Sequence, residues 1–284
     1  MKIAAFLIAL VATFGAAVAV GGAIGPEPTE PEPPAHAEPG PHADPAHASP
    51  AATAPRGLAA AAGGLRIDVL TPELEPGRER ALRFRILDDH GQPIRSFDVA
   101  HERRMHAIVV RRDLTGFQHV HPRIDGDGTW SVPLRLGDPG SYRLYADFTR
   151  DGTPHTLAGD LRVDGGADLR PLPAPQPRAT SDGGDAVELD AGGLHAGEAS
   201  TLQFTVTRDD RPVALAPYLG AGGHLVALRE GDLAFLHVHP LGDADGSEVA
   251  FETTFPSAGR YRLFLQYRVE EQVRTAAFTL EVAP

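Results

Sequence analysis

The chain has 284 residues, a formal net charge of −12 and 42% apolar residues, so it is long enough for about one to three domains with hydrophobic cores. The acidic balance argues against nucleic acid and against an anionic membrane surface as partners, because both carry negative charge themselves. The chain contains no cysteine, which excludes disulfides, thiolate nucleophiles and thiolate metal ligands. A metal ion would have to be held by His or carboxylate side chains, or less readily by Met.

The N-terminal residues 1–25 consist of one lysine followed by about twenty apolar residues. This length is typical of a membrane-spanning helix and equally of a signal peptide, with a weak Ala-x-Ala cleavage motif at 17–19. Both alternatives predict an extracytoplasmic protein, either secreted or anchored to the cell membrane. Contact with the membrane is then expected only through this segment, and only if it is not cleaved.

Residues 26–64 are rich in proline and alanine and have almost no large apolar side chains. Such a segment cannot bury enough surface to offset the entropy that ordering costs. We therefore predict a disordered spacer between the N-terminal segment and the folded part.

From residue 65 the chain consists of short segments in which apolar and polar residues alternate. Examples are "LRIDVL" at 65–70, "ALRFRIL" at 81–87 and "TWSVPLRL" at 129–136. Alternation with a period of two, bounded by Gly, Pro and Asp, indicates β-strands with one buried face. No segment after residue 25 has a sustained helical period.

The second half of the chain repeats the first half after a break at 165–185. "STLQFTVTRDDRPV" parallels "RALRFRILDDHGQPI", and "FPSAGRYRLFLQY" parallels "LGDPGSYRLYADF". Two copies of about 100 residues, each with about seven short strands, are typical of immunoglobulin-like β-sandwiches. The sequence therefore predicts an all-β protein with one sandwich at 65–164, a linker at 165–185 and a second sandwich at 186–284.

The tetrapeptide His-Val-His-Pro occurs once in each copy, at the same distance from an earlier histidine. The first copy has His106, His119 and His121, and the second has His224, His237 and His239. Residues two apart on a strand point to the same face. If the intervening segment is a hairpin in which Val110 lies opposite His119, all three imidazoles of a copy share one face, whereas a register shift by one residue would separate them.

Imidazole is the commonest protein ligand of transition metals, so this pattern predicts one metal site in each copy. Nitrogen ligation favours Cu(II) by intrinsic affinity, with Zn(II) and Ni(II) as alternatives. His155 is a fourth candidate ligand in the first copy, and Arg274 stands at the matching position of the second. We therefore expect the first site to bind more tightly. The sequence offers no acid–base pair or nucleophile pattern, so we do not expect an enzyme.

A reading without a metal remains open. The histidines could be architectural residues that end a strand and were kept after a gene duplication. The protein would then be an exported structural or interaction module, with its sandwiches in contact with another envelope or membrane protein.

The segments "MHAIVVRRDLTGFQHVHP", "GHLVALREGDLAFLHVHP" and "FPSAGRYRLFLQY" resemble those of uncharacterised exported actinobacterial proteins. These proteins combine an N-terminal apolar segment, a Pro/Ala-rich spacer and a tandem β-sandwich region. Their setting is similar to that of CopC-like periplasmic copper-binding sandwiches, although the copper ligands of that family do not align with this chain residue by residue. The resemblance implies an extracytoplasmic location and the handling of a heavy metal such as copper.

Overall fold

The alternating segments form β-strands in the computed structural model, which describes residues 55–242, 244 and 246–284, with only the backbone described for His237 and His239. The helix or signal peptide predicted at 1–25, and the predicted spacer before residue 55, lie outside the described residues. Within the described part the chain has no helix, and so none that could cross a membrane.

Each half contributes ten strands. In the first half they are β1 Ala61–Ala62, β2 Leu65–Val69, β3 Glu73–Leu74, β4 Glu79–Leu87, β5 His106–Arg111, β6 Gln118–Val120, β7 Arg123–Ile124, β8 Thr129–Arg135, β9 Gly140–Arg150 and β10 Thr153–Val163. In the second half they are β11 Arg178–Thr180, β12 Ala186–Asp190, β13 Ala199–Arg208, β14 Arg211–Pro212, β15 His224–Arg229, β16 Phe235–His237, β17 His239–Pro240, β18 Glu248–Thr254, β19 Gly259–Val269 and β20 Gln272–Val282.

Two sheets form each half. The strand orders are β1-β2-β4-β8-β7 and β3-β10-β9-β5-β6 in the first, and β11-β12-β13-β18-β17 and β16-β15-β19-β20 in the second, with β14 paired to β13. The inward side chains of both sheets form one apolar core per half, in which Phe84 and Trp130 are almost completely buried in the first copy and Phe204 and Phe251 in the second. The predicted fold class, two tandem immunoglobulin-like β-sandwiches, is confirmed.

Strands begin before both of the domain boundaries that composition suggested. Strand β1 pairs with β2, and the carbonyl of Ala59 accepts a hydrogen bond from the amide of Ala158 (3.0 Å). Strand β11, inside the predicted linker, pairs with β12. Ala and Gly carry no apolar pattern, but their backbone groups pair with a strand edge as well as those of any other residue.

A third apolar cluster joins the two sandwiches. Along β5, Ala107 and Val109 face the core of the first sandwich, whereas Ile108 and Val110 face the second sandwich. The members of this cluster are Ile108, Val110, Leu114, Tyr145, Ala158, Val226, Leu228, Leu233, Phe235 and Phe264. Because β5 is buried on both faces, its sequence is an uninterrupted apolar run rather than an alternating one.

Specific contacts complete this interface. The rings of Phe117 and Phe264 stack with centroids 4.1 Å apart and an angle of 7° between their planes. The hydroxyl of Tyr145 donates a hydrogen bond to the carbonyl of Leu233 (2.5 Å). The two hairpins that carry the His-Val-His-Pro motifs therefore meet in a single compact unit made of both copies.

Candidate metal centre between the two sandwiches

The turn between β5 and β6 sets which residues of the first hairpin lie opposite each other. Buried Arg111 forms an ion pair with Asp113 (2.5 Å), and Asp113 also accepts hydrogen bonds from Thr115, so the turn is closed around one carboxylate. The resulting register places Ile108 opposite His119. This differs by two residues from the expected pairing of Val110 with His119, and a shift by two leaves every side chain on its original face.

The three histidines of the first copy converge on the face of β5 that meets the second sandwich. Nδ1 of His106 lies 3.0 Å from Nε2 of His119, and one nitrogen of each of His106, His119 and His121 lies within 4.8 Å of the others. Their ring centroids are 4.8–5.2 Å apart. Imidazoles on one tetrahedral ion, at metal–nitrogen distances of about 2.0–2.1 Å, would have centroids about 5 Å apart. The spacing of the three rings therefore fits a shared ion.

The outer nitrogens of two of these rings face oxygen atoms. Nε2 of His106 lies 3.1 Å from the carbonyl oxygen of Ala100, and Nδ1 of His119 lies 2.6 Å from Oε1 of Gln266, on the second sandwich. With the Gln266 amide in this orientation both oxygens accept, so these two nitrogens carry the ring protons. The nitrogens that face each other at 3.0 Å then both present lone pairs, an arrangement that favours a cation beside them.

Two further imidazole nitrogens in the cluster are buried without a hydrogen-bond partner among the described residues. They are Nε2 of His121 and Nε2 of His224. Leaving a buried polar atom unpaired costs about 1–3 kcal/mol. A metal ion would give each of these lone pairs a partner.

Burial keeps the imidazoles of the cluster neutral. Loss of hydration, reinforced by the neighbouring histidines, lowers the pKa of His119 well below its usual value and that of His121 to about 3. The same causes lower the pKa of His224 to about 4, and burial lowers the pKa of His106. Since metal coordination requires the neutral ring, the cluster is ready for a metal ion near pH 7.

Among the described side chains, His224 lies beside histidines of the first sandwich. Its ring lies 6.0 Å from that of His106, 6.2 Å from that of His119 and 5.2 Å from that of His101, all in the first sandwich. The backbones of His237 and His239 lie in β16 and β17, and their side chains are outside the described part of the protein.

His155, expected as a fourth ligand, lies on the wrong face of its sheet. It is paired in register with Phe148, and the two rings stack at 5.3 Å on the side of the sandwich core. Its neighbour Thr156 points the other way and donates a hydrogen bond to Asp147. Because successive strand residues alternate between faces, His155 does not reach the cluster.

The expectation that Arg274 weakens a site in the second copy loses its basis for the same reason. Arg274 is paired in register with Tyr267, the counterpart of Phe148. Its guanidinium donates to buried Asp185 (3.0 Å) and to the carbonyl of Gly183 (2.8 Å). Its guanidinium is therefore held within its own sandwich by an ion pair with Asp185.

Sequence reasoning missed three polar residues of the site. Asp147 and Gln266 occupy equivalent positions in the two copies and lie opposite His106 and His224 in register. The sequence feature that could have identified them is a polar residue within an otherwise apolar strand, in "LYADF" and "LFLQY". Burial raises the pKa of Asp147. His101, in a turn with φ of 49°, completes the lining of a cavity of about 40 Å³ between the sandwiches.

Solved structures similar to the chain include proteins of several kinds. An Escherichia coli adhesin, FdeC, is 18% identical, covers 79% of this chain and has a TM-score of 0.28, and the matched region spans 65% of its length. A chimeric titin Z1Z2 tandem is 13% identical over 76% of this chain and 95% of its own, with a TM-score of 0.21. A membrane-anchored protein of Corynebacterium diphtheriae is 10% identical over 78% of this chain and 59% of its own, with a TM-score of 0.24. At these scores we draw no functional conclusion.

No curated protein matches the chain. A family described as a domain of unknown function, DUF8832, matches twice, at residues 60–165 and 179–284. The two matches are the two sandwiches, and together they cover most of the chain. The protein therefore belongs to the DUF8832 family, with two tandem copies of its domain.

Proposed function

We propose that this protein binds a late first-row transition metal ion outside the cytoplasm, for storage, sequestration or delivery. Cu(II) is the first choice, and Zn(II) and Ni(II) are alternatives, because affinity for a set of imidazoles follows that order of preference. The observation that carries the proposal is the 3.0 Å approach of His106 Nδ1 to His119 Nε2 while the other nitrogen of each ring faces a carbonyl oxygen. The apolar segment at 1–25 supports the extracytoplasmic part.

The nature of the ligands supports a transition metal over a harder ion. The candidate ligand atoms are imidazole nitrogens, which suit copper, zinc and nickel, whereas calcium and magnesium prefer oxygen. The carboxylate of Asp147, which lines the same cavity, would offset part of the charge of a dication. The proposal includes no catalytic step.

A second candidate function is the exported structural or interaction module that binds no metal. It is favoured by the alternative orientation of the Gln266 amide, in which its NH2 group donates to His119 Nδ1. His119 Nε2–H would then donate to His106 Nδ1, and His106 Nε2–H to the carbonyl of Ala100. Such a chain of hydrogen bonds satisfies both rings without an ion and would hold the sandwiches together as architecture.

Metal titration of the untagged full chain separates the two functions. We expect calorimetry at pH 7.5 to show binding of Cu(II), Zn(II) or Ni(II) at micromolar concentration or below. His121→Ala should weaken binding about tenfold or more, because an inner ligand is lost. His155→Ala is the matched control, since this histidine faces the sandwich core, and it should bind as the wild type does. If the wild type binds none of the three ions in this range, the metal proposal is wrong and the architectural function stands.

A further inference from the structure

We propose that His224, from the second sandwich, is the fourth imidazole of the same ion, so that the metal centre is built by both copies and clasps them together. This inference rests on the proposed metal-binding function and adds to it a specific consequence. Binding of the ion and docking of the two sandwiches become one linked equilibrium. The second copy would then contribute a ligand to the site of the first.

The position of His224 at the interface is the first argument. It begins β15, whose residues Val226 and Leu228 belong to the apolar cluster between the sandwiches. Its ring lies nearly parallel to that of His106, with an angle of 23° and centroids 6.0 Å apart. His224 therefore lies across the interface from His106 and His119 of the first copy.

The free nitrogen of His224 is the second argument. The nearby backbone groups of Leu219 and Tyr218 partly oppose the effect of burial on its pKa. Its Nε2 is buried without a hydrogen-bond partner among the described residues. The lone pair on the buried Nε2 remains available to a ligand. A backbone contact that fixes one ring nitrogen and frees the other is the usual arrangement of a metal-bound histidine.

The distances require only a small closure. The rings of the first-copy trio are already 4.8–5.2 Å apart, whereas His224 is 6.0–6.2 Å from His106 and His119. Tetrahedral ligation of four imidazoles needs about 5 Å between centroids, so the ring of His224 must approach by about 1 Å. A cavity of about 40 Å³ is lined by His106, His119 and His224, and it offers space for an ion beside these three rings.

The second sandwich already orients a ligand of the first. Gln266, which fixes the proton of His119, lies directly opposite His224 in the pairing of β15 with β19. One backbone pair of the second copy therefore carries both a positioning residue and the proposed fourth ligand. When the sandwiches separate, His119 loses its partner and the ion would lose His224, so a metal that needs both binds only the docked form.

Counting imidazoles around the bound ion tests the inference. We expect X-ray absorption of the Zn(II)-loaded full chain to show four imidazoles, and His224→Ala to show three, with affinity lower about tenfold or more. His224→Gln retains an amide that can donate to the backbone carbonyls, so it separates loss of the ligand from loss of local structure. The matched control is His195→Ala, an exposed histidine of the same sandwich, which should leave the count and the affinity unchanged.

Each outcome decides between the inference and the function on which it rests. If the wild type binds zinc through three imidazoles, or if His224→Ala equals the wild type in affinity and count, the shared site is wrong and metal binding by the first copy stands. If the wild type binds no metal, both are wrong. A readout that needs no variant is the nitrogen NMR shift of His224 Nε2 on addition of Zn(II). A resonance that does not move overturns the inference even if the variants fail to fold.

Discussion

The protonation of two adjacent rings decides what the histidine cluster can do. His119 must carry its proton on Nδ1 if Gln266 presents its oxygen, and on Nε2 if Gln266 presents its NH2 group. The first state leaves a lone pair for a metal and the second consumes it in a hydrogen bond to His106. The orientation of the Gln266 amide therefore distinguishes the two candidate functions.

Substituting Gln266 should reveal which branch the protein uses. In the metal-binding state, Gln266→Leu removes the acceptor for His119 and should weaken affinity for Zn(II) about 10–100-fold, the usual cost of losing such a partner. Gln266→Glu keeps an accepting oxygen and adds a negative charge, so affinity should be retained or rise. Calorimetry on both variants measures this. If Gln266→Glu loses binding or stability as severely as Gln266→Leu, the amide acts as a donor and the architectural function is favoured.

Burial of neutral imidazoles also predicts how stability depends on pH. The folded-state pKa of His224 is about 4, below the ordinary value of 6.5, so between these values the unfolded chain binds the proton more strongly. The contribution of neutral His224 to the free energy of unfolding is therefore present above about pH 6.5 and is lost as the pH decreases toward 4. Protonation of His224 alone should lower the free energy of unfolding by about 2 kcal/mol between pH 7 and pH 5. For the metal-free chain this loss corresponds to a decrease of about 4–8 °C in the thermal midpoint. Calorimetric scans at both values, with His224→Gln as comparison, test this. A midpoint that rises toward pH 5 would contradict the assigned burial.

At the scale of one hairpin, a turn controls the site from a distance. Arg111 and Asp113 are almost fully buried at the turn between β5 and β6, and the equivalent pair in the second copy is Arg229 with Asp232. The two residues of each pair lie close together in the chain, in the segments "RRDLTGF" and "LREGDLAF". The repeat predicted the hairpin and the shared face of His106 and His119. It could not give the register, because a two-residue shift preserves the same apolar pattern.

Breaking the ion pair of the turn should cost stability and binding together. Asp113→Ala leaves Arg111 charged and buried without its partner, which typically costs 3–5 kcal/mol, so we expect about that loss in denaturant unfolding. Metal affinity should fall as well, because the register that brings His119 to His106 is no longer fixed. Asp164→Ala removes the partner of exposed Arg162 and is the matched control, with an expected loss of about 0–1 kcal/mol. Equal effects of the two substitutions would mean that the turn does not set the hairpin.

At the scale of the whole molecule, the docking of the two sandwiches creates the site. Composition and alternation predicted both sandwiches, because each local pattern reports burial against its own core. The contact of His119 with Gln266 joins residues 147 positions apart, and no local pattern specifies which outer faces meet. The uninterrupted apolar runs "AIVV" and "LVAL" do indicate a second buried face. They do not say that each run is the partner of the other.

Linkage between metal binding and docking can be measured with a single introduced thiol, because the chain has no cysteine. Val110→Cys places the thiol on the docked face, about 13 Å along β5 from His106, whereas Val109→Cys places it in the core of the first sandwich. The first thiol becomes reactive when the sandwiches separate, and the second only when the first sandwich unfolds. If the ion binds only the docked form, bound Zn(II) lowers the population of every undocked state by the same factor. Zn(II) at 100 times its dissociation constant should then slow labelling of both thiols about 100-fold. If the first copy held the ion alone, zinc would protect Val109→Cys and leave Val110→Cys as reactive as before.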